Sequence, residues 1–168
     1  AGKQPEKPAA PHRRQPAVMR QASAQAGQAD ERGWLSKLER GEKIIAVEYD
    51  SPATGGSEAF ARYEEGVLEL DRAGMDLLTI ADCPSGRSRI DSSIAASRLT
   101  RELGIEVIPH LTCRDRNLNA TQALLMAMSL NDVNQVLIVT GDPLPLDERE
   151  RVKTVFNTDS SRLIRHIT

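Results

Sequence analysis

The run Gly104-Ile105-Glu106-Val107-Ile108-Pro109-His110-Leu111-Thr112-Cys113-Arg114-Asp115-Arg116-Asn117 changes character halfway along, apolar first and polar after. Ile105, Val107 and Ile108 are β-branched and follow a glycine, so they read as a short interior strand. Pro109 donates no ladder hydrogen bond, and its position predicts that the strand ends there. His110, Thr112, Cys113, Arg114, Asp115 and Arg116 then bring a titratable ring, two small nucleophile-type side chains and three charges to a strand's carboxyl end. Ligands bind at that end in open α/β sheets and in barrels. The competing reading is a solvated loop whose histidine only caps a turn.

Two similar units lie on the amino-terminal side. Residues 43–50 form a first strand, apolar until Glu48, and 51–56 a loop of Pro and Gly. Ser57 then caps an amphipathic helix built on Ala59, Phe60, Tyr63, Val67, Leu68 and Leu70 and closed by Gly74. Residues 75–81 are a second strand with Asp82 at its tip, and 90–103 a helix with Ile94, Ala95 and Leu99 inward. On the other side, 117–130 is a helix rich in Leu124, Leu125, Met126 and Met128. The fourth strand, 135–140, leads into Gly141-Asp142-Pro143, and a last helix starts near Asp159. A short amphipathic helix over 34–40, with Trp34, Leu35 and Leu38 on one side, comes before them all.

Strand and helix alternate four times with short connections, the pattern of a parallel sheet covered by helices. No Gly-x-Gly-x-x-Gly follows the first strand, and Thr54-Gly55-Gly56 does not supply one, which argues against a nucleotide-binding doubly wound sheet. The expected fold class is therefore α/β, the first half of a (β/α)8 TIM barrel. A complete barrel takes ~250 residues, and about four βα units are present. Such a fragment would leave an unpaired sheet edge. Residues 1–30 contain no Leu, Ile, Phe, Tyr or Trp. Residues 1–33 are thus expected to be a disordered tail or interdomain linker, and 34–168 the partial barrel.

A net charge of -2 supports no general polyanion-binding surface, so nucleic acid is not an expected partner. No apolar run reaches the ~18 residues of a membrane span. Cys83 and Cys113 are distant and lack CxxC neighbours, which suits a reducing cytoplasm better than a disulfide scaffold. The arginines of the tail come without an apolar signal-peptide core.

The tips of the four strands carry Glu48, Asp82, His110 with Thr112, and Thr140 with Asp142. In a barrel these converge on one mouth. A carboxyl at Glu48, partly withdrawn from water, would have its pKa raised toward neutrality and could act as a general acid. Its alternative is a cap for the next helix, for which Asp50 and Ser57 are better placed. His110 could donate to a ligand or orient a base, or it could be a satisfied turn residue. Asp142 follows Gly141, where a ligand can approach the backbone closely, or it belongs to an Asp-Pro turn. Asp82, Cys83, His110 and Cys113 match no usual zinc spacing, so no metal site is expected. Arg87 and Arg89 could bind a phosphate or a carboxylate, or line a solvated loop.

The run Pro109-His110-Leu111-Thr112-Cys113-Arg114-Asp115, with Val47-Glu48-Tyr49-Asp50-Ser51-Pro52, Thr79-Ile80-Ala81-Asp82 and Thr140-Gly141-Asp142-Pro143, resembles the methylenetetrahydrofolate reductase family over residues 42–168 in order and spacing. That resemblance implies a cytoplasmic flavoprotein barrel of one-carbon and methionine metabolism. NAD(P)H reduces its FAD, and reduced FAD converts methylenetetrahydrofolate to methyltetrahydrofolate. It implies Glu48 as the general acid that helps open the folate ring, His110, Thr112, Thr140, Gly141 and Asp142 beside the flavin, and Asp142 and Asp82 toward the folate. It also implies a homo-oligomer when complete and an inactive fragment when isolated. Stand-alone bacterial members carry Phe-Glu-Phe-Phe-Pro-Pro at the first strand and Arg-Gly-Asp at the fourth. The present pattern is closer to reductase domains fused behind a homocysteine methyltransferase domain. Two rival functions fit the residues: a (β/α)8 aldolase or pteridine-handling lyase that uses Glu48 and His110 without flavin, and a non-catalytic barrel fragment that docks a partner.

Overall fold

The computed structural model describes residues 33–167, so the expected tail over 1–33 lies, apart from Gly33, outside the described residues. The elements are α1 (Trp34–Glu39), β1 (Ala46–Glu48), α2 (Ser57–Arg72), β2 (Leu77–Ile80), α3 (Ser92–Leu103), β3 (Val107–Thr112), α4 (Leu118–Leu130), β4 (Leu137–Val139) and α5 (Ser160–Ile167), with a 3₁₀ turn at Pro84–Gly86. All three strand pairings are parallel, and the order in the sheet is β1-β2-β3-β4. Spatial order follows sequence order without reversal. A doubly wound sheet turns back at a switch point, whereas a barrel wall advances strand by strand. Among the described residues the chain is a partial (β/α)8 barrel, four parallel strands with five helices.

One face of this sheet is packed. Phe60, Tyr63 and Val67 of α2, Ala95, Ala96 and Leu99 of α3, and Met128 of α4 form a core with Leu78, Ile80 and Val107. Side chains alternate across a strand, so the partners of this set point the other way. Glu48 is paired with Thr79, and Thr79 with Ile108; His110 lies two residues beyond Ile108 on that same opposite face. At the amino ends of the strands, α1 is anchored by Trp34 Nε1 donating to Gln135 Oε1 at 3.2 Å and by the Lys37–Asp76 ion pair. That leaves the carboxyl ends to the loops.

Pro109 does not end its strand. The strand β3 pairs with β2 through Val107, Ile108 and Pro109, and with β4 through His110, Leu111 and Thr112. The proline therefore stands where the strand changes partners, and its missing N–H leaves no gap in the ladder toward β4. The strand consequently carries His110 and Thr112 within it. The edge strands are shorter than their apolar runs, because each has a neighbour on one side among the described residues. Pairing still reaches past β1, with Asp76 N donating to Ile45 O at 2.9 Å and Tyr49 N to Thr79 O at 3.1 Å.

Two helix details differ from the sequence reading. Ser57 is not a cap: Gly56 holds that position in α2 and no side chain accepts there. In α3, Ala95 and Leu99 face inward as expected, but Ile94 is 60 % exposed and Ala96 is the third inward residue. In α4, Met128 is buried and Met126 faces out. A periodic apolar stripe is wider than the strip of helix that the sheet covers, so its outer members reach solvent.

Candidate active site

Glu48 is the last residue of β1, and His110 stands near the carboxyl end of β3 on the same face. Their side chains approach to 3.7 Å, His110 Nε2 to Glu48 Oε2, with His110 12 % and Glu48 59 % exposed. Nε2 of His110 is buried and has no hydrogen-bond partner. Its main-chain carbonyl, in contrast, accepts from Ser92 Oγ at 2.8 Å, so the start of α3 fixes the strand while the ring is left open. Glu48 is not withdrawn from water as the sequence reading expects. It lies on an edge strand whose outer side is uncovered among the described residues.

Asp82, at the tip of β2, is 4 % exposed. Its Oδ2 accepts from Thr112 N and Thr112 Oγ1, both at 2.9 Å, and from Arg116 Nη1 at 2.8 Å. Arg116 continues to Asp91 Oδ2 at 2.5 Å, and Asp91 is the cap of α3, accepting from Ser93 N at 2.9 Å. One chain of charges thus ties the ends of β2 and β3 to the start of α3. Burial works against the Asp91 charge, but hydrogen bonds from Ser93 and the Arg116 guanidinium outweigh it and hold its carboxyl below the usual range.

After β4 the backbone turns through Gly141 at φ +99°. A Cβ there would lie 3.1 Å from Thr112 Cβ and 3.2 Å from Arg114 Cβ, so the glycine is required by both conformation and space. Asp142 follows, its Oδ2 accepting from Ser85 N at 3.2 Å. Beneath these turns lies Arg114, a guanidinium 1 % exposed. Nε and Nη2 engage the Asp115 carboxylate at 3.0 and 2.7 Å, Nη2 also donates to Cys83 O at 3.1 Å, and Nη1 donates to Asp142 O at 3.3 Å.

Glu48, Asp82, His110, Thr112, Gly141, Asp142 and Arg114 line one cleft of about 350 Å³. The tips of four strands are thereby brought together. Thr140 is the exception, since its Oγ1 lies 3.0 Å from Ser160 Oγ at the start of α5. Arg89 serves the framework, donating to Ser51 O at 2.8 Å, and Arg87 lies 3.5 Å from Asp147. Cys113 packs with Leu111 and Leu163 on the helix side of the sheet, so it and His110 lie on opposite faces. The residues that sequence reasoning left without a role are Arg114 and Arg116. The available signal was the run Arg114-Asp115-Arg116 placed directly after a strand, where three charges in a row need partners.

Among the described residues no helix is long and apolar enough to cross a membrane. Comparison with curated proteins yields no match. Comparison with protein families does: residues 34–168, the whole barrel portion with its cleft, match the methylenetetrahydrofolate reductase family, and the chain belongs to that family of folate-reducing oxidoreductases.

Proposed function

We propose that this cleft is one wall of the site in which methylenetetrahydrofolate is reduced to methyltetrahydrofolate, with FAD as cofactor and NAD(P)H as electron donor. The observation that carries this reading is the open Nε2 of His110, buried and 3.7 Å from the Glu48 carboxylate in the cleft. A buried polar atom without a partner costs free energy unless a ligand supplies one. The residues fit a flavin: its ring edge offers carbonyl and nitrogen acceptors and donors, which His110 and Thr112 can meet, and the side-chain-free backbone at Gly141 lets a flat ring come close. FAD, when bound, supplies the hydride transfer.

His110, Thr112, Gly141 and Asp142 form the flavin side, and Thr140 supports it from behind, its hydroxyl 3.0 Å from Ser160 Oγ and its main-chain oxygen accepting from Cys113 N at 3.2 Å. Asp142 and Asp82 face the folate. Glu48 is the proton donor in this reading. Opening the five-membered ring of methylenetetrahydrofolate leaves an amine nitrogen that needs one, and a positioned carboxylic acid beside a histidine can give it. The reading takes the chain as a fragment of a longer, homo-oligomeric cytoplasmic protein of one-carbon and methionine metabolism. Further strands would close the barrel over Glu48, and a homocysteine methyltransferase domain would precede the linker.

The test uses the complete protein with Glu48→Gln and follows the two half-reactions by stopped flow. Flavin reduction by the nicotinamide should stay near wild type, while folate reduction falls ~10²-fold or more, the scale of a lost general acid. Equal loss in both steps, or none in either, rejects Glu48 as the acid. A complete protein without flavin absorbance rejects the reading of the cleft.

A further inference from the structure

We propose that Arg114 is a positioning residue: it sets the place of the Asp142 carboxylate in the cleft by holding the loops after β2, β3 and β4 in one register. The inference rests on the reading of the cleft given above.

A guanidinium this deeply buried is costly unless its charge is balanced and its donors are used. Asp115 balances the charge, in the two-point geometry that suits arginine and that lysine cannot reproduce. Stability alone would be served by that pair. The remaining hydrogen bonds go elsewhere, to two main-chain carbonyls on two other loops, Cys83 O at 3.1 Å and Asp142 O at 3.3 Å. Neither carbonyl belongs to a strand or helix. Cys83 is itself in the left-handed region, at φ +49°, so the loop after β2 has a shape that needs a hold.

The two contacts converge on one side chain. Arg114 fixes the backbone of Asp142 directly. It also fixes the loop of Cys83, and Ser85 in that loop donates its N–H to Asp142 Oδ2 at 3.2 Å. The Asp142 carboxylate is thus held at its root and at its tip, and both holds lead back to the same guanidinium. Gly141 closes against the stem of Arg114: a methyl group on this glycine would lie 3.2 Å from Arg114 Cβ, which leaves the turn no slack. The main-chain oxygen of Arg114 accepts from Val155 N at 2.7 Å, so the far end of the loop between β4 and α5 is tied to the same residue.

A positioning role and a merely structural one differ in their dependence on Asp142. In the complete, flavin-loaded protein, Arg114→Lys should lower the turnover of folate reduction by ~10- to 10²-fold, the range expected when a reacting group is displaced by about 1 Å. In the Asp142→Asn background the same substitution should cost less than ~3-fold, because the group it positions no longer carries its charge. Asp115→Asn repeats the cycle with the guanidinium retained but loosely held, and it serves where Arg114→Lys does not fold. Losses that multiply independently of Asp142 in the cycle that folds overturn the inference. A wild-type protein that holds flavin and reduces folate while the cycle is additive leaves the reading of the cleft standing and removes Arg114 alone. A wild-type protein without that activity overturns both.

Discussion

Cys83 and Cys113 stand close to the cleft, and their surroundings give them opposite chemistry. Cys113 is 2 % exposed, packed with Leu111 and Leu163, and burial, with the charge of Asp159, pushes its thiol above the ordinary range. Cys83 is partly exposed at the head of the loop after β2. The thiolate is the nucleophile, so a buried thiol with a raised pKa is inert. Iodoacetamide at neutral pH should modify Cys83 in the folded chain and reach Cys113 after denaturation, as peptide mass mapping would read. Equal rates at both would mean that the carboxyl end of β3 opens on the timescale of labelling. The same scale shows what a sequence can and cannot disclose. Glu48, His110 and Asp142 are legible because each is a polar residue on an apolar strand or beside a required glycine. Arg114 is not, since nothing in a run of three charges says which one turns inward. That is decided by carbonyls 28 and 31 residues away.

At the level of elements, the start of α3 is closed by a capping carboxylate that is itself ion-paired. Asp91 accepts from Ser93 N and Ile94 N and is braced by Arg116. Its carboxyl is held below the usual range in the folded chain, so the unfolded chain takes up the proton more readily. The stability it contributes is therefore present above the unfolded pKa of ~3.9 and is lost as pH falls through the folded value. Asp91→Asn keeps a capping oxygen but not the charge. It should cost about 1 kcal/mol or less at pH 7, and its melting curve should converge on that of the wild type as pH falls through the folded value. A gap that persists in acid would assign the effect to the cap rather than the charge. The four strands and five helices were all legible as alternating patterns, since strand runs of β-branched residues and helical stripes differ in period. The helix ends agree to within a residue or two, whereas the strand ends were not legible. Pro109 reads locally as a stop, but whether a missing donor matters depends on which neighbour that residue faces, and only the sheet decides it.

For the whole molecule, protection from exchange should follow position in the sheet. Among the described residues, the strands β2 and β3 have a neighbour on both sides and carry Leu78, Ile80 and Leu111, each 2 % exposed or less, while β1 and β4 are edges. Amide hydrogen exchange of the chain should be slowest in β2 and β3 and faster in β1 and β4, because local opening is easiest where few buried contacts must break. Slower exchange at β1 than at β2 would show that something covers that edge in solution. The order β1-β2-β3-β4 also bears on how the chain is made. Each new strand finds its partner in the one before it, so no strand must wait for a later segment in order to dock within this wall. At ~5 to 20 residues per second a ribosome takes a few seconds to emit each ~30-residue unit. A helix or a short loop closes in microseconds or less. The growing end of the sheet is therefore always the most recently paired edge, and the wall can be laid down in the direction of translation, one unit at a time.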